Sequence, residues 1–192
     1  VALQRESLDL AVVARGVITE LQTRHPGVEV VLQVPTELPA QYLDGTRLRL
    51  LLRNLLENAV RHAGNGRDPD KKCAHGSAMY DEGGIATADM AVSHGHTVAA
   101  DMGAVAMVRI DREATGGCVI EVRDWGPGVP EEQLSKLAEP FHRPDAARSR
   151  HAGGVGLGLY LCRLVAQAHG GWLALENAHP GLRVRAWLPS DM

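Results

Sequence analysis

The sequence predicts an α/β layer pair in which several antiparallel strands are covered by three substantial helices. Three observations carry this. Around the stretch Arg49–His62, Leu48, Leu52, Leu55, Leu56, Ala59 and Ala63 gather on one helical arc, wide enough to lie against a sheet. Val105–Ile110 and Cys118–Arg123 are strand-like runs joined by a turn containing Gly116-Gly117, hence a hairpin. Gly156–His169 returns to helical spacing, and Trp172–Glu176 then pairs with Val184–Leu188 across Pro180-Gly181. There are no internal repeats at a fixed period.

Composition narrows the classes. A chain of 192 residues with 45% hydrophobic content can bury a full core, and 1–192 is expected to be one domain. A formal charge of -3 argues against a nucleic-acid binder working through a global basic field. No run approaches 18 consecutive apolar residues, so this segment is expected to make no direct membrane contact. No signal peptide is visible, and Val1 in place of Met suggests a piece of something longer. Cys73, Cys118 and Cys162 form an odd set without CxxC spacing, which predicts a reduced, intracellular domain without a disulfide framework.

The elements follow in order. Asp9 caps a helix whose apolar positions Leu10, Val13, Val17 and Leu21 recur at helical spacing, and His25-Pro26-Gly27 ends it. Val28–Val34 alternates as a strand closed by Pro35. Gln41-Tyr42-Leu43 is a second short strand, and Asp44 caps the long helix. Pro130-Glu131-Glu132 starts a short helix, with acids at its positive end. Glu139–Val155 is a loop with two prolines and three arginines. In the final helix Leu157, Leu161, Leu164, Val165 and Ala168 are expected to face inward.

From Gly64 to Gly103 no period is sustained, and the composition is rich in Gly, Ala, Asp and His. So long a structureless connection is uncommon inside a compact domain, so 64–103 is expected to be a flexible insertion. Cys73-Ala74-His75 and His94-Gly95-His96 hold soft metal ligands, but their spacing matches no closed zinc pattern, and a solvated loop is the expectation.

Three stretches carry chemistry. On the long helix Asn54, Asn58 and Arg61 point away from the apolar arc, with His62 beside them and Glu57 next to Asn54. A merely solvated face would favour Glu and Lys as better helix formers, whereas an Asn carbonyl suits magnesium and Arg suits phosphate. Asp124-Trp125-Gly126-Pro127-Gly128 puts an acceptor-only carboxylate at a strand end beside two residues lacking a β-carbon. This suits an exocyclic amine such as that of adenine, with an Asp-initiated turn as the plainer alternative. Gly153-Gly154-Val155-Gly156-Leu157-Gly158-Leu159 offers successive main-chain amides at a helix start, as an anion cradle or a hinge. Walker A is excluded because no Gly-Lys-Ser/Thr follows, and the Rossmann spacing fails at Leu159.

Taken in order, these elements resemble the ATP-binding catalytic domain of two-component sensor histidine kinases. That family shares a superfamily with gyrase, the mismatch-repair ATPases and the heat-shock chaperone ATPases. Its asparagine box corresponds to Asn54-Leu55-Leu56-Glu57-Asn58-Ala59 and its first glycine box to Asp124-Trp125-Gly126-Pro127-Gly128. The phenylalanine box is Glu139-Pro140-Phe141-His142-Arg143, and the second glycine box is Gly154-Val155-Gly156-Leu157-Gly158-Leu159. The resemblance covers the chain apart from Gly64–Gly103. It implies a two-layer α/β sandwich of the Bergerat type, a mixed sheet of about five strands covered by three helices.

The resemblance also implies roles. Asn58 corresponds to the magnesium ligand, with Asn54 close to the metal or its waters. Arg61 reaches the phosphates, and His62 lies near the nucleoside. Asp124 anchors adenine, with Gly126 and Gly128 allowing close approach. Phe141 and Arg143 belong to a mobile lid, Gly154, Gly156, Leu157 and Gly158 bind the nucleotide, and Arg143, Arg148 or Arg150 meets the γ-phosphate. Mg-ATP would give its γ-phosphoryl group to a histidine on a dimerisation domain of the same protein, absent from this chain, for relay to an aspartate of a response regulator. Asn54, Glu57 and Arg143 would carry catalysis. A gyrase-like ATP-driven clamp and an anti-sigma-type serine kinase are the alternatives. The clamp relatives have a Glu where this chain has Asn54.

Overall fold

In the computed structural model, which describes residues 2–63, 103–114, 116–142 and 156–190, the sheet is built outward from two central strands. β4 (Ala106–Arg112) and β5 (Cys118–Asp124) form the antiparallel hairpin expected around Gly116-Gly117, both with positive φ. Gly117 is required there, because a β-carbon would lie 2.3 Å from the Leu188 carbonyl oxygen. β7 (Leu182–Leu188) pairs antiparallel with β5, and β6 (Trp172–Asn177) pairs antiparallel with β7. β2 (Val30–Gln33) joins the other edge parallel to β4, so the order is β2-β4-β5-β7-β6 and the sheet is mixed. The expected two-layer sandwich is present. A separate ribbon pairs β1 (Arg5–Leu8) with β3 (Gln41–Asp44). β1 was not expected, since Arg-Glu-Ser-Leu carries no apolar alternation.

The helices are α1 (Leu10–Arg24), α2 (Gly45–Ala63), a single turn α3 (Glu131–Leu134) and α4 (Gly158–Ala168). Asp9 caps α1 by accepting from Ala11 N at 2.9 Å and Val12 N at 3.1 Å. Asp44 does the same for α2, with Oδ1 accepting from Arg47 N at 3.0 Å. Leu48, Leu51, Leu52, Leu55, Leu56 and Ala59 of α2 are all buried, and α2 lies between α1 and α4 over β4 and β5. Each buried leucine contributes about 1.5–3 kcal/mol of transfer free energy, which makes α2 the keel of the helical layer.

The inward face of α4 differs from expectation. Leu159, Cys162, Val165 and Ala166 are buried, while Leu164 is exposed at 40%. Arg163 and Gln167 share one side of this helix, but the apolar residues spread over more than the packed arc, so periodicity alone did not single that arc out. Its far end is fixed by His169, whose ring is buried. Nδ1 donates to Val165 O at 2.8 Å and Nε2 accepts from Asp44 N at 3.1 Å. The sheet's other face carries an ion-pair ladder, including Arg109–Asp111 at 2.6 Å and Arg183–Glu176 at 3.0 Å, beside the stacked Trp172–Trp187 pair. No helix among the described residues is long and apolar enough to cross a membrane.

Candidate functional site

β5 ends at Asp124, a buried carboxylate. It is 3% exposed, and its Oδ1 accepts from Gly126 N at 2.8 Å and Leu182 N at 3.2 Å. Burial raises its pKa above the ordinary carboxylate value, and the two amides together with His62 and Arg123 oppose that rise. Both backbone donors bind the same oxygen, so Oδ2 is the acceptor left for a ligand.

The loop after Asp124 is pressed against α2. A β-carbon at Gly126 would lie 2.7 Å from the His62 carbonyl oxygen, so only glycine fits there. Gly128 has φ +72 and its α-carbon faces Asn177, whose Oδ1 would be 2.7 Å from an added β-carbon. His62 thus sits beside Asp124. Burial lowers its pKa, Asp124 pulls it back and Arg61 adds to the lowering.

The turn between β6 and β7 completes this wall, and its residues carried no sequence signal beyond Pro180-Gly181. Gly181 has φ +91, and a β-carbon there would lie 1.9 Å from the Asp124 carbonyl oxygen. Ala178 N donates to Gly181 O at 2.8 Å. Buried Arg123 reaches the same turn from the open sheet face, its Nη2 donating to Ala178 O at 3.2 Å and Pro180 O at 3.5 Å. Its guanidinium also lies 5.5 Å from the Trp125 ring centroid.

The facing wall is made by α2 and α4. Asn54 Nδ2 donates back to Leu50 O at 2.8 Å, which turns its carbonyl oxygen toward α4. A β-carbon at Gly158 would come within 3.3 Å of that oxygen. Gly156 has φ +75, and among the described residues no side chain caps the first turn of α4, whose amides can serve as donors for an anion. Asn58 is half-buried one turn beyond Asn54, and Arg61 is exposed. Glu57 is turned to α1, with Oε1 2.5 Å from Arg24 Nη1. Phe141 is 70% exposed with φ 62. Arg143, Arg148, Arg150, Gly154 and residues 64–102 lie outside the described residues, as do the two His-containing stretches.

The structure therefore brings together Asp124, Gly126, Gly128 and His62 on one side, and Asn54, Gly156, Leu157 and Gly158 on the other. The amide oxygens fit a hard cation such as magnesium, because Asn54's nitrogen is already committed to the main chain. Among the described residues no cluster of three His, Cys, Asp or Glu could hold a metal by itself, so such an ion would need ligand oxygens as well.

A mixed-sheet sandwich with this anchor and this glycine-started helix defines a nucleotide-site ATPase fold. Residues 43–192 match the model of the histidine kinase-, DNA gyrase B- and HSP90-like ATPases, and the chain belongs to that family. Over 74 residues, 38% of this chain, it is 45% identical to the sensor histidine kinase CpxA of Escherichia coli (strain K12), and that stretch is 16% of CpxA. The mycobacterial sensor histidine kinase MprB shares the fold at a TM-score of 0.65 and 21% identity, over 97% of both chains. Full-length ShkA, solved with AMPPNP, matches at a TM-score of 0.66 and 20% identity, over all of this chain (100%) and 33% of that one. The chain thus spans a small part of the longer proteins it matches.

Proposed function

We propose that this chain is the ATP-binding catalytic domain of a sensor histidine kinase. The observation that carries the reading is the Asp124 anchor: one oxygen fixed by two main-chain amides, the other left to accept, with a glycine loop on His62 beside it. Bound Mg-ATP would supply the transferable phosphoryl group, with its charge screened by the metal. Asp124 accepts from the adenine amine through Oδ2, while Gly126 and Gly128 let the base approach the main chain. His62 lies against the nucleoside, Asn58 presents its amide oxygen to magnesium with Asn54 close by, and Arg61 reaches the phosphates. Gly154, Gly156, Leu157 and Gly158 offer main-chain amides to the same anion, and Phe141 and Arg143 belong to the covering lid. The catalytic contribution is positioning and charge stabilisation.

An imidazole nitrogen of the acceptor takes the γ-phosphoryl group, ADP leaves, and the imidazole proton passes to a base. Asn54 cannot take it, because an amide is not a base at neutral pH. Glu57 is the ionisable group nearest in this segment and would serve after release from Arg24, whose side chain is 44% exposed. The acceptor histidine belongs to a dimerisation domain outside this chain, and an aspartate of a response regulator receives the group next. We assign 1–192 to one cytoplasmic domain with 64–103 as an insertion, in a longer protein that includes the acceptor.

Supplying the matching histidine hairpin, fused ahead of Val1 or in trans, should give label from [γ-³²P]ATP that is acid-labile and base-stable. Brisk ATP hydrolysis by the chain alone would favour an ATP-driven clamp, and a label surviving acid would favour a serine kinase.

A further inference from the structure

Asn177, the last residue of β6, has no part in any of the four motifs, yet its amide makes three bonds to the loop that follows Asp124. Oδ1 accepts from Val129 N at 3.0 Å, and Nδ2 donates to Val129 O at 2.7 Å and to Glu131 Oε1 at 2.8 Å. The side chain pairs with Val129 as a neighbouring strand's peptide would, using both its donor and its acceptor. Its Oδ1 also packs on the α-carbon side of Gly128. Five residues on, Leu182 N donates to Asp124 Oδ1, and Gly181 lies on the Asp124 carbonyl. One turn, 177–182, therefore holds both ends of the 124–129 loop: the anchor from Leu182, the exit from Asn177.

We propose that Asn177 is a positioning residue for adenine recognition: it fixes Gly128 and Val129 relative to Asp124, so that the base meets a loop already in its binding shape. The inference rests on the nucleotide-site reading given above. Without the amide, the loop would populate other conformations, and apparent affinity would fall by the fraction of time it spends in them. Three hydrogen bonds lost at a loop exit correspond to a loss of roughly tenfold in ADP affinity. Asn177→Asp goes further, because a carboxylate would face both the Val129 carbonyl oxygen and the Glu131 carboxylate. Glu131→Gln in that background restores a donor and should recover part of the loss.

Calorimetric titration with ADP of the full chain, wild type and variants, tests this. Asn177→Ala should raise Kd roughly tenfold and Asn177→Asp more, with Asn177→Asp/Glu131→Gln at least roughly threefold tighter than Asn177→Asp. Glu131→Gln alone should stay within about twofold of wild type, since Gln still accepts from Asn177 Nδ2. Amide exchange supplies a readout that general destabilisation would not mimic: Val129 should lose protection in Asn177→Ala while Leu182 keeps it. Should Asn177→Ala fail to fold, the Asn177→Asp pair carries the same comparison. Affinity unchanged in folded Asn177→Ala, or equal loss of protection at Val129 and Leu182, overturns the positioning role. If Asp124→Asn leaves ADP binding unchanged, or wild type does not bind ADP, the nucleotide-site reading itself fails, and this inference with it.

Discussion

The two walls of the site are held in different ways. On the base side, Asp124, Gly126 and Gly128 are fixed by main-chain amides, by glycine contacts no other residue could make, and by the Asn177–Leu182 turn. On the side proposed for the phosphates, Asn54, Asn58 and Arg61 project from one well-packed helix, and among the described residues one tie, from Asn54 to Leu50, orients an amide. A base is a rigid, neutral object that rewards a preformed pocket. Phosphates and their cation bring charge and ligands of their own, so side chains that adjust on binding suffice there. Substitutions that strain the main chain on the base side should therefore damage the fold and the affinity together, and those on the phosphate side affinity alone.

The largest effect is expected at Gly181. An alanine β-carbon would overlap the Asp124 carbonyl at 1.9 Å, and the backbone has φ +91. Gly181→Ala should cost about 3 kcal/mol or more of stability, read by urea unfolding, and ADP binding should be lost with it. Wild-type stability in that variant would dissolve the contrast between the walls.

Asp124→Asn comes next and separates the two effects on the base side. The asparagine keeps Oδ1 for Gly126 and Leu182 but places a donor where Oδ2 accepted, so ADP affinity should fall by about 1.5–3 kcal/mol. Stability should move the other way. Burial raises the Asp124 pKa, so the folded state holds this proton more tightly than the unfolded chain. The corresponding stability is full below the unfolded value and is lost as pH rises through the folded one. At neutral pH the unliganded wild type therefore bears the cost of a buried charge that the asparagine lacks. Unfolding from pH 3 to 7 should show a flatter profile for Asp124→Asn. A lower neutral-pH stability than wild type would mean the carboxylate charge is structurally required.

Asn58→Ala, on the other wall, should leave stability within about 0.5 kcal/mol, because the side chain is only half-buried. It should remove the magnesium dependence of ATP binding, compared by titration with and without the metal. Equal magnesium enhancement in both proteins would take Asn58 out of the metal site. The smallest effect belongs to Arg24→Ala. Its pair with Glu57 is partly exposed, at 44% and 32%, so the loss should be about 0.2–1 kcal/mol and shrink with salt.

The helix wall was the more legible of the two in the sequence. Asn54, Asn58 and Arg61 lie on one helix, where spacing translates directly into a shared face, and the buried leucines of α2 oppose them. Asp124 and its glycines were legible as a short motif. The rest of the base wall was not, because Asn177 and Arg123 bind main-chain groups 48 to 57 positions away and Gly181 packs on the Asp124 carbonyl, contacts that leave no residue pattern. β1 escaped for a related reason: its pairing with β3 uses backbone hydrogen bonds that Arg-Glu-Ser-Leu does not advertise. In α4 Arg163 and Gln167 mark one polar side, but the apolar arc left over is wider than the face that packs.

Two buried thiols turn the layered architecture into its own clock. Cys118 lies at the start of β5, paired with Arg112 and Leu188, and Cys162 lies between α4 and α2 with Sγ 3.6 Å from Leu51 O. Burial pushes both thiols up to about 12, so neither reacts while its layer is closed. In a Cys73→Ser background, alkylation at Cys162 times the lifting of α4 from the asparagine helix. Alkylation at Cys118 times the parting of the central strands. A nucleotide bridging α2 and α4 would slow the first reaction more than the second, giving an occupancy signal that needs no catalysis.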